Sequence, residues 1–309
     1  MRCSLRGDPD IILGGADAPP CMNNLHDDIS GNPAFNRLEV GEFLFAEYTC
    51  PLEAKMFEIW TEQDYLVHVI SGSKTWHTPD GSWTVGGGQT LFFKKGAAVV
   101  EQHFEADFCV LIFFVPDAIA REVVEENLGE VGRCPRPEGG ETCAIPLESA
   151  LGLDVFFDSL RTYFAVSEKP TAPLLRLKLK ELILGILTSR SNPALSFYFR
   201  SLANCEGPSL SSLMEANFRY RLSLEQFARL CHRSLSSFKR DFRKQYNESP
   251  GRWIQQKRLD YAAALLRSTD HMNVTDVVFE SGFEDVSHFS KAFKNRFGKS
   301  PSSYRQASA

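Results

Sequence analysis

The spacing of apolar positions changes once along the chain. From about Phe35 to Pro116 they alternate or cluster over short stretches, as β-strands require, and from Asp117 they recur every three or four residues, as helices require. β-prone runs fall at 55–60, 65–71, 74–79, 82–85, 90–94, 97–103 and 108–115. Asp80-Gly81 predicts a two-residue hairpin turn, and Gly86-Gly87-Gly88 turns the chain again. The run at 108–115 is apolar throughout, which predicts a strand at a buried sheet centre. Many short strands at this spacing predict a small barrel or a double-sheet jelly roll. Helices are predicted at 118–127, 151–166 and 174–187, with 129–146 an irregular connection. Residues 189–208 read as turns around the aromatic run Phe197-Tyr198-Phe199.

The last third carries a repeat. In 273–301, Val274, Val277 and Val278 mark one short helix, and Ser281-Gly282-Phe283 breaks it. Glu284 and Asp285 offer acceptors at the next helix start, and Phe289, Ala292, Phe293 and Phe297 form its apolar stripe. The opposite face shows Ser287, Ser290, Lys291 and Lys294, and Gly298 and Pro301 stop the helix. Leu224, Ala228 and His232 align with Val274, Val278 and Gly282 at one offset. After a one-residue insertion, Phe238, Phe242, Tyr246, Ser249, Pro250 and Trp253 align with Phe289, Phe293, Phe297, Ser300, Pro301 and Tyr304. A Pro-free segment rich in Ala, Leu and Arg joins the copies and predicts one stiff helix. Two helix-turn-helix units so joined predict reading helices in consecutive major grooves, about 34 Å apart. The competing reading is an all-helical interaction domain with a solvated basic face.

Residues 209–305 resemble the DNA-binding domain of the AraC/XylS family of bacterial transcription regulators. The resemblance rests on Arg258-Leu259, Ala262, Leu265, Gly282-Phe283, Phe289, Phe293, Phe297-Gly298 and Ser300-Pro301. Val278 departs from the small Ala usual under the turn, which predicts a slightly reshaped second unit, and His232 holds the first unit's turn position. The resemblance implies an α+β chain of two domains. An N-terminal cupin-like β-barrel with following helices senses an effector, and a C-terminal all-α double helix-turn-helix domain binds DNA. The phrases TWHTPDGSW and FCVLIFFVPD resemble a subgroup that includes type III secretion activators, in which the N-terminal domain answers to a protein partner. The expected layout is a loose tail at 1–25, the barrel at 26–118, a helical dimerisation or linker region at 119–204 and the DNA-binding domain at 205–305. Within the last, the first helix-turn-helix spans about 222–246, the connecting helix about 251–267 and the second unit about 274–298.

Charge sharpens this division. The chain of 309 residues carries a net −5, yet from Cys205 onward 17 Lys and Arg face 11 Asp and Glu, a net +6 against −11 for the rest. An acidic partner therefore belongs to the C-terminal third. No apolar run approaches the roughly 18 residues of a membrane span, and the opening residues lack a signal pattern, so a cytoplasmic location is expected. The eight cysteines form no C-x-x-C pair. Cys134 and Cys143 flank a Pro/Gly loop, and the competing readings are a redox or metal pair and an incidental spacing.

A cupin enzyme would hold a metal through two His one residue apart, an acidic residue and a distant His. His68, His77 and His103 are isolated and no His-x-His occurs, so no metal, cofactor or turnover is expected. Trp60, Tyr65, His68 and Trp76 are the candidates for an effector pocket, with His68, between Val67 and Val69, facing the barrel interior; core packing is the competing reading. Leu175, Leu179, Leu182, Ile183 and Ile186 form a stripe that is either core or a subunit seam.

By correspondence with the family's recognition helices, Ser236, Lys239 and Arg240 reach base edges in the first unit, and Val286, Ser287, Ser290 and Lys291 in the second. Arg240 suits a bidentate contact to guanine O6 and N7, worth about 1–3 kcal/mol of discrimination. Arg243, Lys244, Lys294 and Arg296 lie toward the helix ends and suit phosphates. The expected protein is a sequence-specific transcription activator that binds promoter duplex, contacts RNA polymerase and works as a homodimer. Its N-terminal domain takes a small molecule or a protein. The alternatives are a purely interacting, ligand-free N-terminal module and a metal-dependent cupin enzyme fused to the DNA-binding domain.

Overall fold

Alternation along single strands explains the layers of the N-terminal half. The computed structural model describes residues 22–49, 55–104, 107–127, 142–148, 153–166, 168–189, 191–204, 209–268 and 272–306. It divides into two units, Met1–Ser209 and Leu210–Ala309. The first runs β1 (Asn23–Asn24), α1 (Leu25–Gly31), β2 (Asn36–Val40), β3 (Phe43–Thr49), β4 (Met56–Thr61), β5 (Asp64–Ser71), β6 (Ser73–Thr78) and β7 (Gly81–Gly86). It continues through β8 (Thr90–Phe93), β9 (Gly96–Gln102), β10 (Cys109–Val115), α2 (Asp117–Glu126), β11 (Ala144–Leu147), α3 (Leu153–Ala165), α4 (Ala172–Thr188) and α5 (Pro193–Ala203).

The strands make a five-stranded sheet, β1-β4-β9-β6-β7, and a six-stranded sheet, β11-β8-β5-β10-β3-β2. On β5, Tyr65, Val67 and Val69 enter the core between the sheets with Leu44, Ile59, Trp76, Phe93, Val100 and Phe114. Leu66 joins a second core on the far face, where α2 to α5 lay Val123, Phe157, Leu160, Leu179, Ile183 and Phe199 over Phe45, Phe92 and Phe113. The six-stranded sheet is thus buried on both faces. Its strand β10 lies between β5 and β3, the place that an unbroken apolar run demands.

Several expectations change. The hairpin of β6 and β7 pairs Thr78 with Gly81, so Pro79-Asp80 is the two-residue loop and Gly81 opens the next strand. Ala144–Leu147, read as irregular, pairs antiparallel with β8 at a sheet edge, where Pro146 is tolerated. Residues 193–203, where turn residues were expected on either side of the aromatic run, form one helix with Pro at its start; Tyr198 and Phe199 bring their rings within 5.7 and 5.4 Å of Phe92. The tail read at 1–25 lies outside the described residues up to Cys21, and its last residues enter β1 and α1. Cys134 also lies outside them. The stripe of α4 is buried within its own unit, with Leu175 and Ile183 at 0% exposure, so it is core and not a subunit seam.

One ionic cluster ties the sheet to its helices. Asp64, fully buried, accepts hydrogen bonds from the Lys95 backbone N–H and the Tyr198 hydroxyl, both at 2.8 Å. Lys95 Nζ meets the Asp117 carboxylate of α2 at 2.6 Å. Burial dominates and lifts the Asp64 carboxyl to about 6, against the pull of Lys95.

The second unit is all helical: α6 (Leu210–Asn217), α7 (Leu224–Leu230), α8 (Leu235–Tyr246), α9 (Pro250–Ser268), α10 (Val274–Glu280), α11 (Val286–Phe297) and α12 (Pro301–Gln306). Around α9 and the second helix pair, Leu259, Ala262, Leu266, Val277, Val278, Phe289 and Phe293 form one core.

Candidate nucleic-acid interface

The repeat extends to single hydrogen bonds. Helices α7 and α10 both start with a reciprocal capping box, Ser223 with Gln226 and Asn273 with Asp276. In the first turn His232 N–H donates to Arg229 O at 2.8 Å and Arg233 N–H to Ala228 O at 2.9 Å. In the second, Gly282 N–H donates to Phe279 O at 2.9 Å and Phe283 N–H to Val278 O at 3.1 Å. With Val278 in place of Ala228, the turn keeps the same two backbone hydrogen bonds. Ser234 and Asp285 cap the starts of α8 and α11, and both helices end in left-handed residues, Asn247 and Gly298. The inserted residue is Glu284, between the turn and the second cap.

Each helix so capped turns a Phe pair inward: Phe238 and Phe242, Phe289 and Phe293, all at 0% exposure. On the outward side Ser236, Lys239, Arg240, Arg243 and Lys244 are exposed on α8. On α11, Val286, Ser287, Lys291, Lys294 and Arg296 are exposed and Ser290 is half-buried. Residues i, i+3, i+4 and i+7 share a face, so Ser236, Lys239, Arg240 and Arg243 form one stripe, and Ser287, Ser290, Lys291 and Lys294 another. Each stripe can present hydroxyl donors and cations to base edges and phosphates.

Two cations have partners that the sequence did not reveal. Arg296 grips Asp260 of α9 with both ends of its fork, at 2.9 and 2.7 Å, in a pair that stays at the surface. The pair links α11 to the connecting helix, a partner for Arg296 besides the phosphate expected of it. Arg240 Nε donates to Asp241 Oδ1 at 3.2 Å, and Arg233 Nη1 donates to Asp241 Oδ2 at 2.7 Å. Asp241 was missed; the only signal was a lone carboxylate within the basic run SSFKRDFRK. His288, also missed, is exposed in the first turn of α11, beside Phe289.

The chain that precedes α7 is tied to the connecting helix and to α10. Arg258 of α9 donates from Nε to Phe218 O and from a terminal nitrogen to Tyr220 O, each at 2.7 Å. Burial pulls this guanidinium down to about 10, which leaves it charged at neutral pH. Arg219, between those carbonyls, donates to the Tyr261 hydroxyl at 2.7 Å and lies 3.7 Å from Glu280 of α10.

Of the four residues expected at an effector pocket, Tyr65 and Trp76 come together and His68 lies elsewhere. Tyr65 stacks on Phe93 at 5.0 Å and Trp76 lies 5.3 Å from the same ring, in the core between the sheets. His68 points the other way: it stacks on Phe157 of α3 at 3.9 Å and meets Thr90 Oγ1 at 2.9 Å. Burial there lowers its tendency to protonate. Trp60 of β4 is fully buried, at 2% exposure. His77 bonds Ser82 Oγ and Glu101, and His103 bonds Thr75 Oγ1.

Paired helix-turn-helix copies with cationic outward faces define a double helix-turn-helix DNA-binding protein. The comparisons agree. A helix-turn-helix domain model matches residues 227–307, and a model of the ExsA N-terminal regulatory domain matches 64–198. The chain is 30% identical over 267 residues to the HTH-type transcriptional regulator ExsA of Pseudomonas aeruginosa, covering 84% of this chain and 92% of that protein. It is 27% identical over 248 residues to the thermoregulatory protein LcrF of Yersinia pestis, covering 79% and 89%. To the virulence regulon transcriptional activator VirF of Yersinia enterocolitica it is 26% identical over 248 residues, again covering 79% and 89%. The chain belongs to the AraC family of transcription regulators, and carries an ExsA-type N-terminal regulatory domain before its DNA-binding domain.

Proposed function

We propose that α8 and α11 read sequence from two successive major grooves of one promoter duplex. Ser236, Lys239 and Arg240 face base edges in one groove, and Val286, Ser287, Ser290 and Lys291 in the other. Arg243, Lys244 and Lys294 hold phosphates. The observation that carries this reading is the residue-by-residue match of caps and turns in the two units, which presents two equivalent stripes of donors on one stiff scaffold. Footprinting of the full chain on a bound duplex should give two protected tracts about 10 base pairs apart, centre to centre. One tract alone, or none, overturns the reading.

The second element concerns control. The space between the sheets is filled by Tyr65, Trp76, Phe93 and Phe114, which favours regulation by a protein at the surface of the N-terminal unit over a small molecule inside it. Thermal scans of the full chain with a panel of metabolites should then leave Tm unmoved; a rise of several degrees with any one restores the internal ligand. Activation through an RNA polymerase contact, homodimer formation and action in the cytoplasm complete the proposal. They draw on a relative named as a transcriptional activator and on a described chain without a helix long and apolar enough to cross a membrane.

A further inference from the structure

We propose that Asp241 is a positioning residue: its carboxylate holds the Arg240 guanidinium with its end-on edge turned toward guanine. This rests on the proposed role of Arg240 in base reading. A guanidinium offers two useful edges, one formed by Nε with Nη2 and one by Nη1 with Nη2. On Arg240 the first is occupied, because Nε donates to Asp241 Oδ1 at 3.2 Å and Nη2 to Ser237 Oγ at 3.0 Å. The second edge, whose parallel N–H pair matches guanine O6 and N7, faces away from both partners.

Both anchors are themselves held. Asp241 Oδ2 accepts from Arg233 Nη1 at 2.7 Å and lies 3.5 Å from Ser237 Oγ. The Ser237 backbone N–H donates to the cap residue Ser234 at 3.3 Å. The Arg240 side chain is 75% exposed, whereas Asp241 and Arg233 are 32% and 39% exposed, so a free tip is carried on a more enclosed base. An arginine ordered before contact loses less rotamer freedom on binding. The second unit lacks this device: Lys291 stands at the Arg240 position, Ala292 at that of Asp241 and His288 at that of Ser237.

A carboxylate near phosphates weakens binding to any DNA, so a positioning role and a plain charge effect have opposite signs. The full-length chain and its Asp241→Asn, Ser237→Ala, Arg240→Ala and Arg240→Ala/Asp241→Asn variants each select duplexes from one pool of randomised base pairs. Affinities are then measured on the unmodified chain's preferred duplex and its single-base-pair substitutions. Arg240→Ala should erase a guanine preference at one position. Asp241→Asn should lower that same preference about tenfold, leave the other positions alone, and bind unselected DNA as tightly or more tightly. Ser237→Ala should act at the same position, and the double variant should match Arg240→Ala. An undiminished guanine preference in Asp241→Asn or a double variant worse than Arg240→Ala overturns the positioning role while Arg240 stands as a reader. If neither Asp241→Asn nor Ser237→Ala acts at the position of Arg240, the positioning role is likewise overturned. If Arg240→Ala loses no preference anywhere, the base-reading proposal falls, and the role of Asp241 with it.

Discussion

At Gly282 the backbone runs at φ 86°, and a Cβ there would lie 2.2 Å from the Arg219 carbonyl oxygen. No rotamer relieves a clash with backbone. Gly282→Ala should destabilise the protein by on the order of 3 kcal/mol, visible in urea titration as a lower midpoint. His232 tolerates a similar backbone, φ 50°, because its side chain is exposed. Asp64 makes a prediction in pH. Its folded pKa, about 6, exceeds the usual 3.8, so the folded state holds this proton more tightly than the unfolded one. The stability that the proton confers is complete below about pH 4 and is lost as pH rises through 6. Asp64→Asn cannot ionise, so it should gain in stability on the unmodified chain as pH rises across that window. Parallel denaturation curves at pH 4 and 7 test this; a constant difference between the two proteins would refute it.

Between elements, the pair Arg296–Asp260 sets how α11 leans on α9. Simple electrostatics says that Asp260→Asn, by removing a negative charge, strengthens DNA binding. If the pair positions α11, the same change weakens it, by a few-fold for so exposed a pair, and Arg296→Gln weakens it alike. Affinities on one duplex at fixed salt decide by their sign. The two capping boxes offer a matched comparison. Ser223→Ala and Asn273→Ala should each lower stability by about 1 kcal/mol, since each deprives an α-helix start of the same bonds. Unequal losses in thermal melts would mean that the repeats are not energetically equivalent.

Across the whole molecule, the net +6 after Cys205 against −11 before it assigns the duplex to the C-terminal unit. Lys294→Ala should weaken binding to every sequence alike and reduce the slope of log affinity on log salt by about 1. Arg240→Ala should instead cost about 1–3 kcal/mol at one base pair and leave the rest of the preference intact. A salt series on preferred and scrambled duplexes distinguishes the two. Loss on every sequence for Arg240→Ala would remove it from base reading.

The sequence by itself determined the double helix-turn-helix and its outward face. Capping acceptors, helix-stopping Gly298 and the i, i+3, i+4 spacing of Phe side chains act within a turn or two of the chain, so their physics is local. It also determined that β10 would be buried, since an apolar run has no polar face to offer water. Which surface buried which residue was a different matter. His68 faces α3 and not the space between the sheets, the α4 stripe lies inside its own unit, and 193–203 became a helix against Phe92. Arg296 found Asp260, 36 residues away, and became a brace. Those outcomes depend on partners distant in the chain. Alternation and periodicity say that a residue has a side, and only the packed structure decides what lies on it.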